Sequence, residues 1–168
     1  IPKVLLNKEK GLSDNSITGF AIDNLGRTWI ASKSGLNVFD GVRNHRYPKQ
    51  GDLWESKDIE QISFNQKENM LYVLLQSGAL LKLNPYTGAL NRMALPERLQ
   101  IKCITKGKQN QLIGTSNGIW KNDASTVSQI HNTKGWHVNF LRYLPEIDRW
   151  FVGTSDGIVI GSIADDSF

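Results

Sequence analysis

The sequence predicts an all-β fold built from blades of four antiparallel strands, about four of them, forming part of a larger β-propeller. Three observations predict it. The phrase QLIGTSNGIWK at Gln111 to Lys121 returns as WFVGTSDGIVIG at Trp150 to Gly161. Each copy is a polar turn with an Asn-Gly or Asp-Gly pair between two apolar runs, which signals a β-hairpin. With the turn glycine as anchor, Gly35, Gly78, Gly118 and Gly157 follow one another at gaps of 43, 40 and 39 residues. A period near 40 residues that holds several short strands is the signature of a propeller blade. Finally, Gly or Asn-Asp turns interrupt every candidate helix, so no long stretch keeps a helical period.

The elements follow from that frame. One propeller segment spans residues 1–168, with blades at about 7–49, 50–95, 96–131 and 132–168. The first strand of each repeat opens near Ile17, Ile59, Ile101 and Val138. The second carries Trp29, Tyr72, Leu112 and Phe151, each six residues before the anchor glycine. These large apolar residues are expected to point between neighbouring sheets. The third strand opens with Leu36, Ala79, Ile119 and Ile158 directly after the glycine. At the anchor the hairpin needs a positive φ, which glycine adopts without a Cβ penalty. The pairs Thr115-Ser116 and Thr154-Ser155 can hydrogen-bond the turn backbone. Fourth strands are expected at His45 to Lys49, Ala89 to Leu95 and Thr126 to His131, and Lys3 to Leu6 stands in the same place ahead of Ile17. The last repeat reaches Ile163-Ala164 before completing a fourth strand. Two arrangements stay open: an excerpt of a longer propeller, or a ring of four in which the first segment closes the last blade.

Composition narrows the chemistry. The chain has 168 residues, 39% hydrophobic and 21% charged, an ordinary globular balance. No apolar run approaches the roughly 20 residues a membrane helix needs, so no membrane contact is expected of this segment. The amino-terminal IPKVLLNKEKG is too short and too polar for a secretory signal. The net charge is +4, but Lys and Arg are dispersed among acids, so a solvated surface is expected and no nucleic-acid partner. A single cysteine, Cys103, excludes an internal disulfide and a multi-cysteine zinc site, and its setting IKCI predicts a buried residue. His45, His131 and His137 share no ligand spacing, so neither a metal nor another cofactor is expected. No phosphate loop or Gly-x-Ser-x-Gly elbow occurs. Asp14, Asp23 and Asp156 read as turn residues. A glycosidase carboxylate pair is defined by separation in space, which a sequence does not display.

Gly11 to Gly41 reads GLSDNSITGFAIDNLGRTWIASKSGLNVFDG. It resembles the two-component regulator propeller repeat, through Gly11, Leu12, Ser13, Asn15, Ser16, Ile17, Asp23, Gly26, Trp29, Ile30, Gly35, Leu36 and Phe39. The third and fourth copies share Gly114-Thr115 with Gly118, and Gly153-Thr154 with Gly157. The second departs, with Leu74-Leu75 for the small pair and Asn65 near the Asp position. The resemblance implies a propeller of about seven blades in the extracytoplasmic, periplasmic region of a hybrid two-component sensor histidine kinase. It further implies a carbohydrate ligand, signalling to transcription through the rest of the parent sensor, and no catalysis by this segment.

Loops from each outer strand to the next inner strand share one propeller face with the second-to-third-strand turns. This gathers Asn15, Trp54, Arg98, Trp136 and His137 with Lys33, Gln76, Asn117 and Asp156 as candidate ligand-binding residues. Trp54 and Trp136 sit in polar loops, where a flat indole can stack on a sugar ring or a partner surface, or fold back over the blade edge. Trp29, Trp120 and Trp150 are expected to pack. Three functions remain in play: a sensor binding an oligosaccharide or other small ligand, an interaction propeller that holds a partner protein or pairs as a homodimer, and a propeller lyase or glycosidase.

Overall fold

A computed structural model of the chain describes residues 5–47, 58–96, 99–107, 110–123 and 126–162. Among these, fifteen strands form four antiparallel sheets, each in sequence order. The first sheet is β1 (Ile17–Ile22), β2 (Thr28–Ser32), β3 (Gly35–Phe39) and β4 (Asn44–Arg46). The second is β5 (Ile59–Asn65), β6 (Met70–Leu75), β7 (Leu80–Leu83) and β8 (Leu90–Arg92). The third is β9 (Ile101–Lys106), β10 (Gln111–Thr115), β11 (Gly118–Asp123) and β12 (Thr126–Gln129). The fourth shows three strands, β13 (Val138–Leu144), β14 (Arg149–Thr154) and β15 (Gly157–Gly161). The fourth strands are shorter than the sequence suggests; of the Lys3 to Leu6 candidate, Lys3 and Val4 lie outside the described residues, and Leu5 and Leu6 are not in a strand. A single 3-10 turn at Lys8–Lys10 is capped by Asn7 and ended by Gly11 at φ 91°.

The chain divides into two compact units, Ile1–Met93 and Ala94–Phe168, each a pair of sheets. In the first unit Trp29, Ala31 and Leu36 pack with Ile59, Ile62, Phe64, Leu71 and Val73. In the second, Cys103, Leu112 and Ile119 pack with Val138, Leu141, Trp150 and Val152. Sheet meets sheet, which is what alternating strands of a blade require. Trp29, Tyr72 and Leu112 are buried as expected, whereas Phe151 is only half-buried.

Every first strand carries a bulge at its start, between Ile17 and Gly19, Ile59 and Gln61, Ile101 and Cys103, and Val138 and Phe140. The extra residue breaks the period of two, so the opening residue joins the face of the residues three and five further on. Ile59, Ile62 and Phe64 thereby share one face, as do Val138, Leu141 and Tyr143.

The four hairpins are not equivalent at their glycines. Gly35, Gly118 and Gly157 pair with Ser32, Thr115 and Thr154 across two-residue turns. In the second copy Leu75 N donates to Ala79 O, and Gly78 N to Leu75 O, so the turn is one residue longer and Gly78 lies inside it. The residue matching Leu36 and Ile119 is therefore Leu80, not Ala79. The cause lies at the hairpin mouth. Ser32, Thr115 and Thr154 each donate a hydroxyl hydrogen bond to the glycine carbonyl, at 3.0, 2.9 and 3.0 Å. Leu75 has no hydroxyl with which to close the short form. Gly78, Gly118 and Gly157 adopt φ of 83°, 94° and 130°, while Gly35 lies outside this positive-φ set.

Candidate functional site

Within each blade, the entry to the first strand and the second-to-third-strand turn meet at one end. Lys33 N donates to Ser16 O, Gln76 N to Asp58 O, Ser116 N to Gln100 O and Ser155 N to His137 O. Every candidate side chain described except Trp136 is exposed at such an end. Trp54 and Arg98 lie outside the described residues.

In the first unit, Asn15 is tied down: its Oδ1 accepts from Lys8 N at 2.8 Å. Lys33 and Gln76 are exposed on their turns. Between them and the strand entry, Asp14 acts as a staple, Oδ1 accepting from Ser16 N at 2.7 Å and Oδ2 from Ser34 Oγ at 3.0 Å. These hydrogen bonds, the Ser16 amide first, hold its carboxyl below the ordinary range. A general acid needs the opposite shift, so Asp14 is suited to fastening the turn. Asn37 is the buried residue that the sequence reading missed. Its Nδ2 donates to Gly11 O at 3.0 Å and its Oδ1 accepts from Ser13 N at 2.9 Å, pinning the Gly11-Leu12-Ser13 opener across the sheet. An asparagine in a strand carries no local sign of such a partner 26 residues away.

The second unit brings four candidates together across two blades. Asn117 Oδ1 accepts from Gly135 N at 2.9 Å, and Gly118 N donates to Trp136 O at 2.7 Å. His137 follows directly, and its carbonyl receives the Ser155 amide beside Asp156. Thr133, fully buried, accepts from Ile119 N at 3.0 Å and donates to Ile130 O at 2.8 Å, which fixes the connection that carries Trp136. Trp136 is half-buried, packed against the apolar cluster of the second unit. The exposed surface there offers the side chains of Asn117, Lys134, His137 and Asp156. Amide, ammonium, imidazole and carboxylate groups of this kind can hydrogen-bond a polyhydroxylated ligand. Among the described residues no group of three metal-ligating side chains gathers.

Asp23 also proves structural. Its Oδ2 accepts from Arg27 Nε at 2.7 Å and Trp29 Nε1 at 3.0 Å, while Oδ1 receives the amides of Leu25 and Arg27. In the second blade Asn65 takes this place, accepting from the amides of Lys67 and Glu68. Cys103 is buried, and burial pushes its thiol up to about 12.

No family profile matches the chain. No curated protein matches it either. Solved structures do. Two structures of the extracellular domain of BT4673 from B. thetaiotaomicron, described as a putative one-component and a putative hybrid two-component system, are similar at TM-scores of 0.72 and 0.70 with 19% and 20% identity. The match covers 97% and 94% of this chain and 22% of theirs. The β-propeller domain of Cps50 from Myceliophthora thermophila is similar at a TM-score of 0.63 and 14% identity, over 90% of this chain and 53% of that one. A catalytically inactive virginiamycin B lyase from Staphylococcus aureus, with quinupristin, is similar at 0.59 and 17% identity, over 94% of this chain and 59% of that one. The chain thus spans about a fifth of the length of these two extracellular domains. At these identities the likeness shows the fold: four blades of a β-propeller.

Proposed function

We propose that this chain is a ligand-sensing segment of an extracytoplasmic propeller, belonging to a hybrid two-component sensor histidine kinase and response regulator of the periplasm. In this reading the segment binds a carbohydrate at the turn end of its blades and does no catalysis itself. The parent's kinase and regulator modules carry the event to transcription. One observation carries the reading: 97% of the chain is covered by its match to the extracellular domain of a putative one-component system. The Gly11 to Gly41 pattern supports it independently, because its opener and its Asp23–Trp29 pair are built into the blade. The turn end supports the choice of ligand, since it gathers exposed amide, imidazole and carboxylate side chains beside the half-buried Trp136.

Calorimetric titration of this chain with oligosaccharides released from plant and host polysaccharides tests the reading. The expected result is saturable binding to at least one of them. Trp54→Ala is then expected to weaken binding by about 1–3 kcal/mol, the range of an aromatic anchor. Absence of binding across the panel would remove the carbohydrate reading. Binding unchanged in both Trp54→Ala and Trp136→Ala would move the site away from the turn end.

A further inference from the structure

We propose that the turn end of the second unit takes an anionic sugar, a uronate unit of an oligosaccharide, whose carboxylate is met by Asn117 and Lys134. This rests on the carbohydrate reading and narrows it.

Which end of the Asn117 amide is left over follows from its partner. A backbone N–H can only donate, so the atom that meets Gly135 N at 2.9 Å is the carbonyl oxygen, Oδ1. Nδ2 is then the spare group of an exposed side chain, with no hydrogen-bond partner among the described residues. The backbone holds this orientation from three sides. Asn117 N donates to Thr115 Oγ1 at 3.0 Å, Asn117 O accepts from Gln129 Nε2 at 2.7 Å, and Gly118 N donates to Trp136 O at 2.7 Å. The same clasp brings up Lys134, the residue before Gly135, which is exposed and forms no ion pair among the described residues. An amide donor and an ammonium thus share one turn with no acceptor of their own.

The first unit, taken by itself, repeats the arrangement. Asn15 Oδ1 accepts from Lys8 N at 2.8 Å, so this amide too has only Nδ2 to spare. Lys33 is exposed, and its own N–H donates to the carbonyl of Ser16, next to Asn15 in the chain. The neighbouring carboxylate, Asp14, already accepts from Ser16 N and Ser34 Oγ.

A carboxylate is the complement of such turns. It accepts from several donors at once, and charge-assisted hydrogen bonds to it are the stronger kind. In the second unit the following turn selects a sugar over a bare anion. Ser155 N donates to His137 O, which brings the exposed Asp156 alongside His137. A bare anion has nothing to donate to the Asp156 carboxylate and is repelled by it. A uronate carries ring hydroxyls that donate to a carboxylate, and an imidazole can donate to or accept from the same hydroxyls.

The test is calorimetric titration with oligosaccharides of galacturonate, glucuronate and mannuronate, and with the same oligosaccharides after reduction of each carboxylate to an alcohol. The unaltered chain is compared with Asn117→Asp and Lys134→Gln. Asn117→Asp keeps an oxygen for Gly135 N, so the clasp stays, but it replaces the spare donor by a negative charge. Lys134→Gln removes an exposed ammonium that no contact of the fold uses. Circular dichroism shows that both variants fold. At least one uronate is expected to bind, with its reduced counterpart weaker by about tenfold or more, the effect of one lost charge-assisted hydrogen bond. Each variant is expected to weaken uronate binding by a similar factor and to leave any binding of the reduced form unchanged. A reduced or other neutral oligosaccharide that binds as tightly as every uronate would overturn the inference and leave the carbohydrate reading standing. So would uronate binding unchanged in either folded variant. Absence of binding to charged and neutral oligosaccharides alike would remove both.

Discussion

Asp23 shows how one side chain organises a blade. Burial alone would raise its carboxyl, but hydrogen bonds from the Trp29 indole, the Arg27 side chain and amide, and the Leu25 amide outweigh it and lower the value. A carboxyl depressed in the fold stabilises it above the unfolded value of about 3.9, and that stability is lost as pH falls through the folded value. Urea midpoints are therefore expected to be flat from neutral pH to about 5 and to fall below about 4. Asp14 and Asp40 are depressed in the same sense by turn amides, but both are open to solvent and contribute little. In Asp23→Asn the charge-assisted bonds to Arg27 and Trp29 are lost, at a cost of about 2–3 kcal/mol at neutral pH. The acid slope should then be shallower than in the parent. An unchanged slope would assign the acid sensitivity to other carboxyls. That Asp23 is a structural residue was legible in the sequence, because its bonds reach only six residues along the chain. Asn37 was not, because it meets the opener only when the sheet is assembled.

At the scale of the strand, the anchor glycines revealed the hairpins but not their closure. Ser32, Thr115 and Thr154 decide the two-residue turn through a hydroxyl on the glycine carbonyl, and Leu75 forces a longer one. A spacing counted to glycine alone misplaces the second copy by one residue, and a one-residue slip exchanges the two faces of a strand. The bulges were equally hidden, since Thr18, Glu60, Lys102 and Asn139 share no residue type at the extra position. Gly114 is the strand position with least room. A Cβ there would stand 2.5 Å from Cys103 Sγ and 2.7 Å from Val138 Cγ1, between two packed sheets. Gly114→Ala is expected to destabilise the chain by about 1–3 kcal/mol, the cost of overpacking a core. Cys103→Ala opens space on one side only. A double-mutant cycle should therefore show part of the loss recovered, by about 0.5 kcal/mol or more, in denaturant midpoints. Strict additivity would mean that the sheets separate to admit the methyl group instead.

For the molecule as a whole, the repeat in the sequence was enough to read four blades, because each blade is a local hairpin series. It could not show which faces are covered, because Phe20 and Ile62, or Ile158 and Ile119, are alike as residues and differ only in what stands against them. The candidate binding end was legible as a set of loops, whereas the division of Trp136 between core and surface depended on the path fixed by Thr133.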